Sequence, residues 1–207
     1  MSEKINAVIF DMGGVLLRTM NSQPRETIAE RFGVTRAELE AFIFMSDTSL
    51  RSEVGELSDK EHWEIVLHHF NQPVGDHLKV HDEYFSGDAI DKELMAFAVS
   101  LKPDYQLGLL SNAWVNARPL LKRHFDFIDV FDVSVFSCEV GMRKPDPAIF
   151  KMMLEKMGVE AENAVFIDDL PSNIEGAKSV GLHAIRFTDT PTAIAAVKAM
   201  LNMHKIS

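Results

Sequence analysis

Acidic, hydroxyl and amide side chains follow three separate apolar runs of strand length in this 207-residue sequence. They are Asp11 after "AVIF", Ser111 and Asn112 after "LGLL", and Asp168 with Asp169 after "AVFI". In a parallel doubly wound sheet the carboxyl ends of the strands share one edge, and ligands bind there where the strand order reverses. We therefore expect these five residues to converge on one site.

A lysine is placed to reach the same edge. Lys144 stands in "GMRKPDPAIF", where Asp146 is suited to cap a helix that has Pro147 at its first position. Because Lys144 comes just before that helix start, we expect its ammonium group to enter the crevice at the strand ends.

Three neighbouring carboxylates repel one another, and each raises the pKa of the others unless a cation lies between them. A hard divalent cation meets that need. Mg²⁺ prefers oxygen ligands and keeps waters and substrate phosphate in its shell. Asp11, Asp168 and Asp169 therefore predict a Mg²⁺ site.

The same residues suit phosphoryl transfer. The ammonium of Lys144 and the hydroxyl of Ser111 are suited to hold phosphoryl oxygens. Backbone N–H groups after Asp11 can approach closely, because Gly13 and Gly14 lack side chains. Asp11 can then attack phosphorus and give an aspartyl-phosphate that water hydrolyses.

Strand-length apolar runs alternate with helical patterns in most of the chain, which indicates an α/β fold with a parallel sheet covered on both faces. The predicted strands are residues 7–10, 107–110, 133–136, 164–167 and 183–187. The predicted helices of this part are residues 148–158, 173–181 and 192–204, and the first two end at a glycine suited to a helix end.

Residues 20–88 break this alternation and have the pattern of an all-helical insertion. Thr35 stands three residues before Glu38, and Ser58 three before Glu61, so two amphipathic helices each begin with a capping box. Since the insertion follows the first strand, it should project from the carboxyl edge of the sheet, above the site. We divide the chain into a Rossmann-like core, residues 1–18 and 89–207, and a helical cap domain, residues 19–88.

The composition excludes several classes of function. Apolar residues make up 46% of the chain, and no stretch approaches the roughly 20 apolar residues of a membrane span, so no membrane partner is expected. A net charge of -10 without a basic cluster would repel nucleic acid. The single cysteine, Cys138, cannot form an internal disulfide, and no secretory signal is visible, so we expect a cytoplasmic protein. The sequence does not indicate an oligomeric state.

Four segments, in their order and spacing, resemble the motifs of the haloacid dehalogenase-like (HAD) hydrolase superfamily. They are "FDMGGVL", "LLSNA", "RKPDPAIF" and "FIDDLPSNIEGAKSVG", and with the inserted cap the resemblance covers nearly the whole chain. Within the superfamily the chain is most similar to sugar-1-phosphate phosphatases and to the N-terminal phosphatase domains of bifunctional epoxide hydrolases. The segments "GELS" and "GMRKP" contribute to that similarity.

The resemblance implies a Mg²⁺-dependent phosphatase that acts on a small phosphorylated metabolite, for which a sugar phosphate is our expectation. It implies that Asp11 is the nucleophile, that Lys144 and Ser111 bind phosphate, and that Asp168 and Asp169 hold Mg²⁺. The predicted catalytic residues are Asp11 and Lys144, the predicted substrate-binding residues are Ser111, Asn112, Gly13, Gly14 and Arg18, and the predicted metal ligands are Asp11, Gly13, Asp168 and Asp169.

Position 13 departs from the family pattern. Most phosphatases of the family carry a second aspartate two positions after the nucleophile, which serves as general acid and base, and here that position is Gly13. The backbone carbonyl of Gly13 can still serve as a metal ligand. General acid–base help is worth about 10² to 10⁴-fold in rate, so its absence has consequences.

Three interpretations of this departure stay open. The leaving group needs little protonation, as in an anomeric or acyl phosphate; another residue supplies the proton; or hydrolysis is lost and the chain is a non-catalytic phosphate-binding or regulatory protein. We favour the first two, because the metal and phosphate residues are all present. The candidates for the proton are Arg18 and the cap histidines His62, His68, His69, His77 and His81.

A further alternative is a 2-haloacid dehalogenase, which the same family supports with the same aspartate nucleophile and no metal. Those enzymes resemble this chain less, because they usually carry Tyr at the position of Gly13 and lack the paired aspartates at 168 and 169. A Mg²⁺ requirement discriminates between the two activities.

Overall fold

The computed structural model describes residues 4–125 and 127–203. Its strands are β1 (Ala7–Phe10), β2 (Leu17–Thr19), β3 (Asp88–Ile90), β4 (Gln106–Ser111), β5 (Val133–Phe136), β6 (Ala164–Asp168) and β7 (His183–Arg186). Its α-helices are α1 (Gln23–Phe32), α2 (Arg36–Met45), α3 (Asp47–Glu53), α4 (Asp59–His69), α5 (His77–Phe85), α6 (Lys92–Leu101), α7 (Ala117–His124), α8 (Ser137–Val140), α9 (Pro147–Met157), α10 (Pro171–Ser179) and α11 (Thr190–Met203).

Five strands form one parallel sheet in the order β5-β4-β1-β6-β7. The chain leaves the central strand β1 for β4 on one side and later returns to its other side as β6. The strand order therefore reverses at β1, and a ligand crevice is expected at its carboxyl end. The predicted doubly wound α/β fold is confirmed.

Both faces of the sheet are buried, and β1 illustrates how. Alternate residues of a strand point to opposite faces. Val8 and Phe10 join the core built with α6 and α11, whereas Ala7 and Ile9 join the core built with α9 and α10. All four side chains are fully buried, as expected for a strand that is covered on both sides.

Strands β2 and β3 pair as a two-stranded antiparallel ribbon, and in the sequence one precedes the helical insertion and the other follows it. The sequence analysis missed this ribbon, because each strand has only three residues and too few side chains to set a period. Helices α1 to α5 lie between its two strands. The division into a core of residues 1–18 and 89–207 and a cap of residues 19–88 stays a prediction, and its boundaries fall within the ribbon.

The inserted helices have a hydrophobic core of their own, which includes Ile28, Ile43, Trp63 and Tyr84. The capping boxes predicted for Thr35 and Ser58 are both present at the starts of α2 and α4. These caps satisfy N–H groups that the helices leave unpaired, so local sequence fixes where each helix begins.

The remaining helix predictions hold within a few residues. Asp146 accepts a hydrogen bond from the N–H of Ala148 at 2.8 Å, and Pro147 begins α9 as expected. Helix α9 ends at Gly158 in the left-handed conformation. Helix α11 ends at Met203, so the predicted end at 204 lies outside the described residues. Within the described ranges, no helix has the length and apolar character needed to cross a membrane.

Candidate active site

Asp11 lies directly at the carboxyl end of the central strand β1. Its N–H donates to the carbonyl of Ile167 at 2.8 Å, which extends the pairing of β1 with β6 by one residue. The chain then turns sharply, because the carbonyl of Met12 accepts from the N–H groups of Leu16 and Leu17 at 2.9 and 2.8 Å. Asp11 is therefore held at the switch point, with only 6% of its surface exposed.

Lys144 lies between two of the predicted site carboxylates. Its Nζ is 2.6 Å from Oδ1 of Asp11 and 2.7 Å from Oδ2 of Asp168. The residue is only 1% exposed, and its ammonium also lies over the ring of Phe166. The sequence analysis predicted that this ammonium binds phosphate. In the structure it pairs with two carboxylates and links β1 to β6.

Asn112 holds the backbone of that lysine. Its side-chain Oδ1 accepts from the N–H of Lys144 at 2.8 Å, and its Nδ2 donates to the carbonyl of Lys144 at 3.0 Å. Both ends of the amide are thus engaged by the chain itself. This geometry is that of a residue that positions Lys144, and the role of Asn112 in substrate binding stays a prediction.

The two consecutive aspartates after β6 have different surroundings. Asp168 is fully buried, and besides Lys144 it accepts from Nδ2 of Asn173 at 3.0 Å and from the N–H of Leu170 at 2.8 Å. Asp169 is half-buried, and its carboxylate faces the loop after β1 at Gly14. Sequence reasoning missed Asn173, whose only signal is its place in the first turn of the helix after Asp168.

The two glycines after Asp11 differ in how much space surrounds them. Gly14 has a φ of +81°, and a Cβ there would lie 2.5 Å from Oδ2 of Asp169, so only glycine fits. At Gly13 a Cβ would meet no atom within 4 Å. Among the described residues no hydrogen bond uses the N–H or the carbonyl of Gly13, whereas the N–H of Gly14 donates to Leu17 at 3.0 Å.

Ser111 and Arg18, two of the predicted substrate-binding residues, have different placements. Ser111 ends β4, next to β1, and its hydroxyl donates to the carbonyl of Asn112 at 3.1 Å. The guanidinium of Arg18 pairs with Asp91 at 2.9 Å and lies over the ring of Phe187. Both contacts lie within the chain, and the roles of Arg18 in substrate binding and proton transfer stay predictions.

Burial and charge set the protonation of the cluster. Burial raises the pKa of Asp11 to about 7 against the opposing effect of Lys144, and the charge of Asp168 adds to the increase. Burial and Asp168 also raise the pKa of Asp169. Burial acts to lower the pKa of Lys144, but Asp11 and Asp168 outweigh it and raise that pKa, so the lysine stays protonated at neutral pH.

The donor set fits a divalent cation. One carboxylate oxygen each from Asp11, Asp168 and Asp169 lies within 4.8 Å of the other two. When all three carboxylates are ionised, Lys144 offsets one of the three negative charges, and a doubly charged ion balances the other two. All the donors are oxygen atoms, as Mg²⁺ prefers. The sequence argument assigned the whole neutralisation to a metal, whereas the structure gives part of it to Lys144.

The helical cap contacts the core at two segments that also carry Asn112 and Lys144. Trp114, three residues after the end of β4, donates from Nε1 to Oγ of Ser49 at 3.1 Å and stacks on Phe44. Nε of Arg143 lies 2.6 Å from Oε2 of Glu53 at the end of α3. Sequence reasoning missed Trp114 and Glu53, since nothing in their local pattern says which distant element they meet.

The five cap histidines do not form one group. His62 is fully buried and bonds to Oγ1 of Thr48 and the carbonyl of Ile43, both at 3.0 Å. Burial lowers its pKa to about 4, so it is neutral and belongs to the cap interior. His68 and His69 are exposed at the end of α4, and His81 pairs with Asp82 at 2.9 Å. His77 is half-buried at the start of α5. None of these contacts involves the aspartate cluster.

Comparison with known proteins places these features in a family. The model of the haloacid dehalogenase-like hydrolases matches residues 5–181. The phosphorylated carbohydrates phosphatase of Thermotoga maritima is 30% identical over 189 residues, which covers 87% of this chain and 84% of that protein. Bifunctional epoxide hydrolase 2 of Sus scrofa is 30% identical over 126 residues, 56% of this chain. Several curated relatives are much longer, and the matches span 19% to 22% of their length.

Solved structures share the fold. A HAD-like family hydrolase from Porphyromonas gingivalis superposes with a TM-score of 0.76 and 26% identity, over 95% of this chain and 98% of that one. A HAD family enzyme from Bacteroides thetaiotaomicron, solved with magnesium and inorganic phosphate, gives a TM-score of 0.74 at 22% identity, over 89% of this chain and 94% of that one.

Proposed function

The chain belongs to the haloacid dehalogenase-like hydrolases, and we propose that it is a Mg²⁺-dependent phosphatase of a small phosphorylated metabolite that works through an aspartyl-phosphate. The observation that carries this proposal is the Asp11–Lys144–Asp168 chain of contacts at the sheet switch point, with Asp169 beside it. The name of the Thermotoga maritima relative supports a phosphorylated carbohydrate as the substrate class.

Asp11 is the proposed nucleophile. Its backbone is fixed by the bond to Ile167, and its Oδ1 is fixed by Lys144 at 2.6 Å, so the carboxylate has one orientation. The positive charge of Lys144 favours the ionised form of Asp11, which is the form that attacks phosphorus. The attack breaks the bond between phosphorus and the leaving-group oxygen, and water then hydrolyses the aspartyl-phosphate.

Phosphate oxygens would be held by groups at the same edge of the sheet. The N–H of Gly13, which no hydrogen bond among the described residues uses, lies in the loop directly after the nucleophile, and the hydroxyl of Ser111 lies at the end of the neighbouring strand. Donors fixed before the reaction stabilise charge that develops on phosphoryl oxygens without reorganising during it. Lys144 contributes its charge through Asp11 and Asp168.

Mg²⁺ would be held by Asp11, Asp168 and Asp169 together with the backbone carbonyl of Gly13. When bound, it supplies positive charge to the phosphoryl oxygens and keeps the acidic cluster ionised. The all-oxygen donor set and its two uncompensated charges support this assignment. A magnesium complex of the Bacteroides thetaiotaomicron enzyme, which shares the fold, agrees with it.

The test is release of inorganic phosphate from a panel of phosphomonoesters, with Mg²⁺ and with EDTA. The wild type is expected to release phosphate only with Mg²⁺, and Asp11→Asn is expected to release none. The proposal fails if Asp11→Asn retains the activity. A metal-independent release of halide from 2-haloacids by the same preparation would instead support a dehalogenase.

A further inference from the structure

The loop after the nucleophile has no side chain that can transfer a proton. Position 13 is glycine, and the space where its side chain would begin is open within 4 Å. A phosphate ester with a poor leaving group needs a proton on its ester oxygen as the bond to phosphorus breaks. That proton must come from a residue outside the loop.

One carboxyl group of the cap contacts the segment that carries Lys144. Glu53 is the last residue of α3, and its side chain is only 14% exposed. Its Oε2 is 2.6 Å from Nε of Arg143, the residue directly before Lys144, whose own ammonium contacts Asp11. On either side of Glu53, Ser49 accepts a hydrogen bond from Trp114, and the backbone of Gly55 closely approaches the carbonyl of Cys138, so this part of the cap lies against the core.

The surroundings of Glu53 suit a group that both gives and takes a proton. Burial raises the pKa of its carboxyl, while the charges of Arg143 and Lys144 act in the opposite direction. A carboxyl group whose pKa is raised holds its proton more readily than an exposed one, and an upward shift moves its pKa in the direction that favours general acid–base catalysis near neutral pH. Arg143 occupies Oε2, and among the described residues no hydrogen bond uses Oε1.

We propose that Glu53 is the general acid and base of this site, which protonates the leaving-group oxygen and later takes a proton from the attacking water. This inference rests on the function proposed above. The cap thereby supplies the group that Gly13 does not.

Glu53 gives up its proton in the first step and regains one in the second. In the first, Asp11 bonds to phosphorus, the ester bond breaks, and the carboxyl proton of Glu53 passes to the ester oxygen, which leaves as an alcohol. In the second, water attacks phosphorus, its proton passes to the Glu53 carboxylate, and the bond from Asp11 to phosphorus breaks. Inorganic phosphate leaves, and both carboxyl groups return to their starting states.

The test compares two substrates in Glu53→Gln. Glutamine can still accept from Arg143, so the contact between cap and core is kept while the transferable proton is lost. The value of kcat/KM reports the steps up to alcohol release, so it isolates the first transfer. With a simple alkyl phosphate, whose leaving group needs the proton, it is expected to fall by about 10² to 10⁴-fold. With p-nitrophenyl phosphate, whose leaving group does not, it is expected to change little.

Two further variants complete the design. Glu56→Gln changes an exposed carboxylate three residues away that pairs only with Arg51 among the described residues, and both substrates should react as with the wild type. Gly13→Asp combined with Glu53→Gln should restore the alkyl phosphate activity, because position 13 has room for the side chain.

Three outcomes would overturn the inference. Equal losses of kcat/KM on both substrates would show that Glu53 only holds the cap on the core. No loss on the alkyl phosphate would remove it from the reaction. A wild type inactive on both substrates with Mg²⁺ would overturn the phosphatase function together with the role of Glu53, and is thus distinguishable from a failure of the role alone.

Discussion

Gly14→Ala is expected to damage the metal site more than the fold. The backbone there has a φ of +81°, which costs an alanine about 1 to 2 kcal/mol. The new Cβ would lie 2.5 Å from Oδ2 of Asp169, whereas ordinary contact begins at 3.4 Å, so the carboxylate must withdraw by about 0.9 Å. A misplacement of about 1 Å in a reacting group can cost about 10²-fold in rate.

The matched control is Gly158→Ala at the end of α9. Gly158 has a φ of +66°, but a Cβ there meets no atom within 4 Å, so it carries the strain without the collision. Both variants should lose about 1 to 2 kcal/mol in urea unfolding. Only Gly14→Ala should need more Mg²⁺ for half-maximal phosphate release and lose about 10²-fold in kcat/KM. If the two variants have the same rate and Mg²⁺ dependence, the contact between Gly14 and Asp169 has no functional meaning.

Further predictions concern the lysine, its support and the buried histidine. Lys144→Met should lower the free energy of unfolding in metal-free urea titrations by about 3 to 5 kcal/mol, because Asp11 and Asp168 lose their buried cation; a loss under about 1 kcal/mol contradicts this. Asn112→Ala should cost about 1 to 3 kcal/mol in the same assay by freeing the backbone of Lys144. His62 has its pKa lowered to about 4 by burial, so its stabilising effect is complete above about pH 6.5 and is lost as the pH falls toward 4. Between about pH 7 and pH 5 the wild type should therefore lose about 2 kcal/mol more than His62→Gln, and equal losses would refute the argument.

The sequence was sufficient for the architecture because the pattern is local. Short apolar runs such as 7–10 that alternate with helical patterns are typical of strands covered on both faces, and the topology of a parallel sheet then brings Asp11, Ser111 and Asp168 to one edge. The capping boxes at Thr35 and Ser58 fixed two helix starts for the same reason. The three-residue strands β2 and β3 carried no such pattern.

The sequence indicated which residues lie at the candidate site better than it indicated the contacts that they make. The sequence does not show which groups contact the ammonium of Lys144. The predicted partner was phosphate, and the structure shows contacts with Asp11 and Asp168. The partners of Asn112 and Arg18, which are Lys144 and Asp91, are also distant in sequence, so no local pattern predicts these contacts. A contact such as Glu53 with Arg143 depends on how the cap docks, and no local pattern encodes that.

The central claim is that Asp11 becomes phosphorylated in a site that requires Mg²⁺. The direct measurement is mass spectrometry of peptides after rapid acid quench of the protein mixed with an acyl phosphate. A phosphoryl group is expected on Asp11 when Mg²⁺ is present, and it should be absent with EDTA and in Asp11→Asn. Phosphate release without a labelled Asp11, or with the label on another residue, would contradict the account.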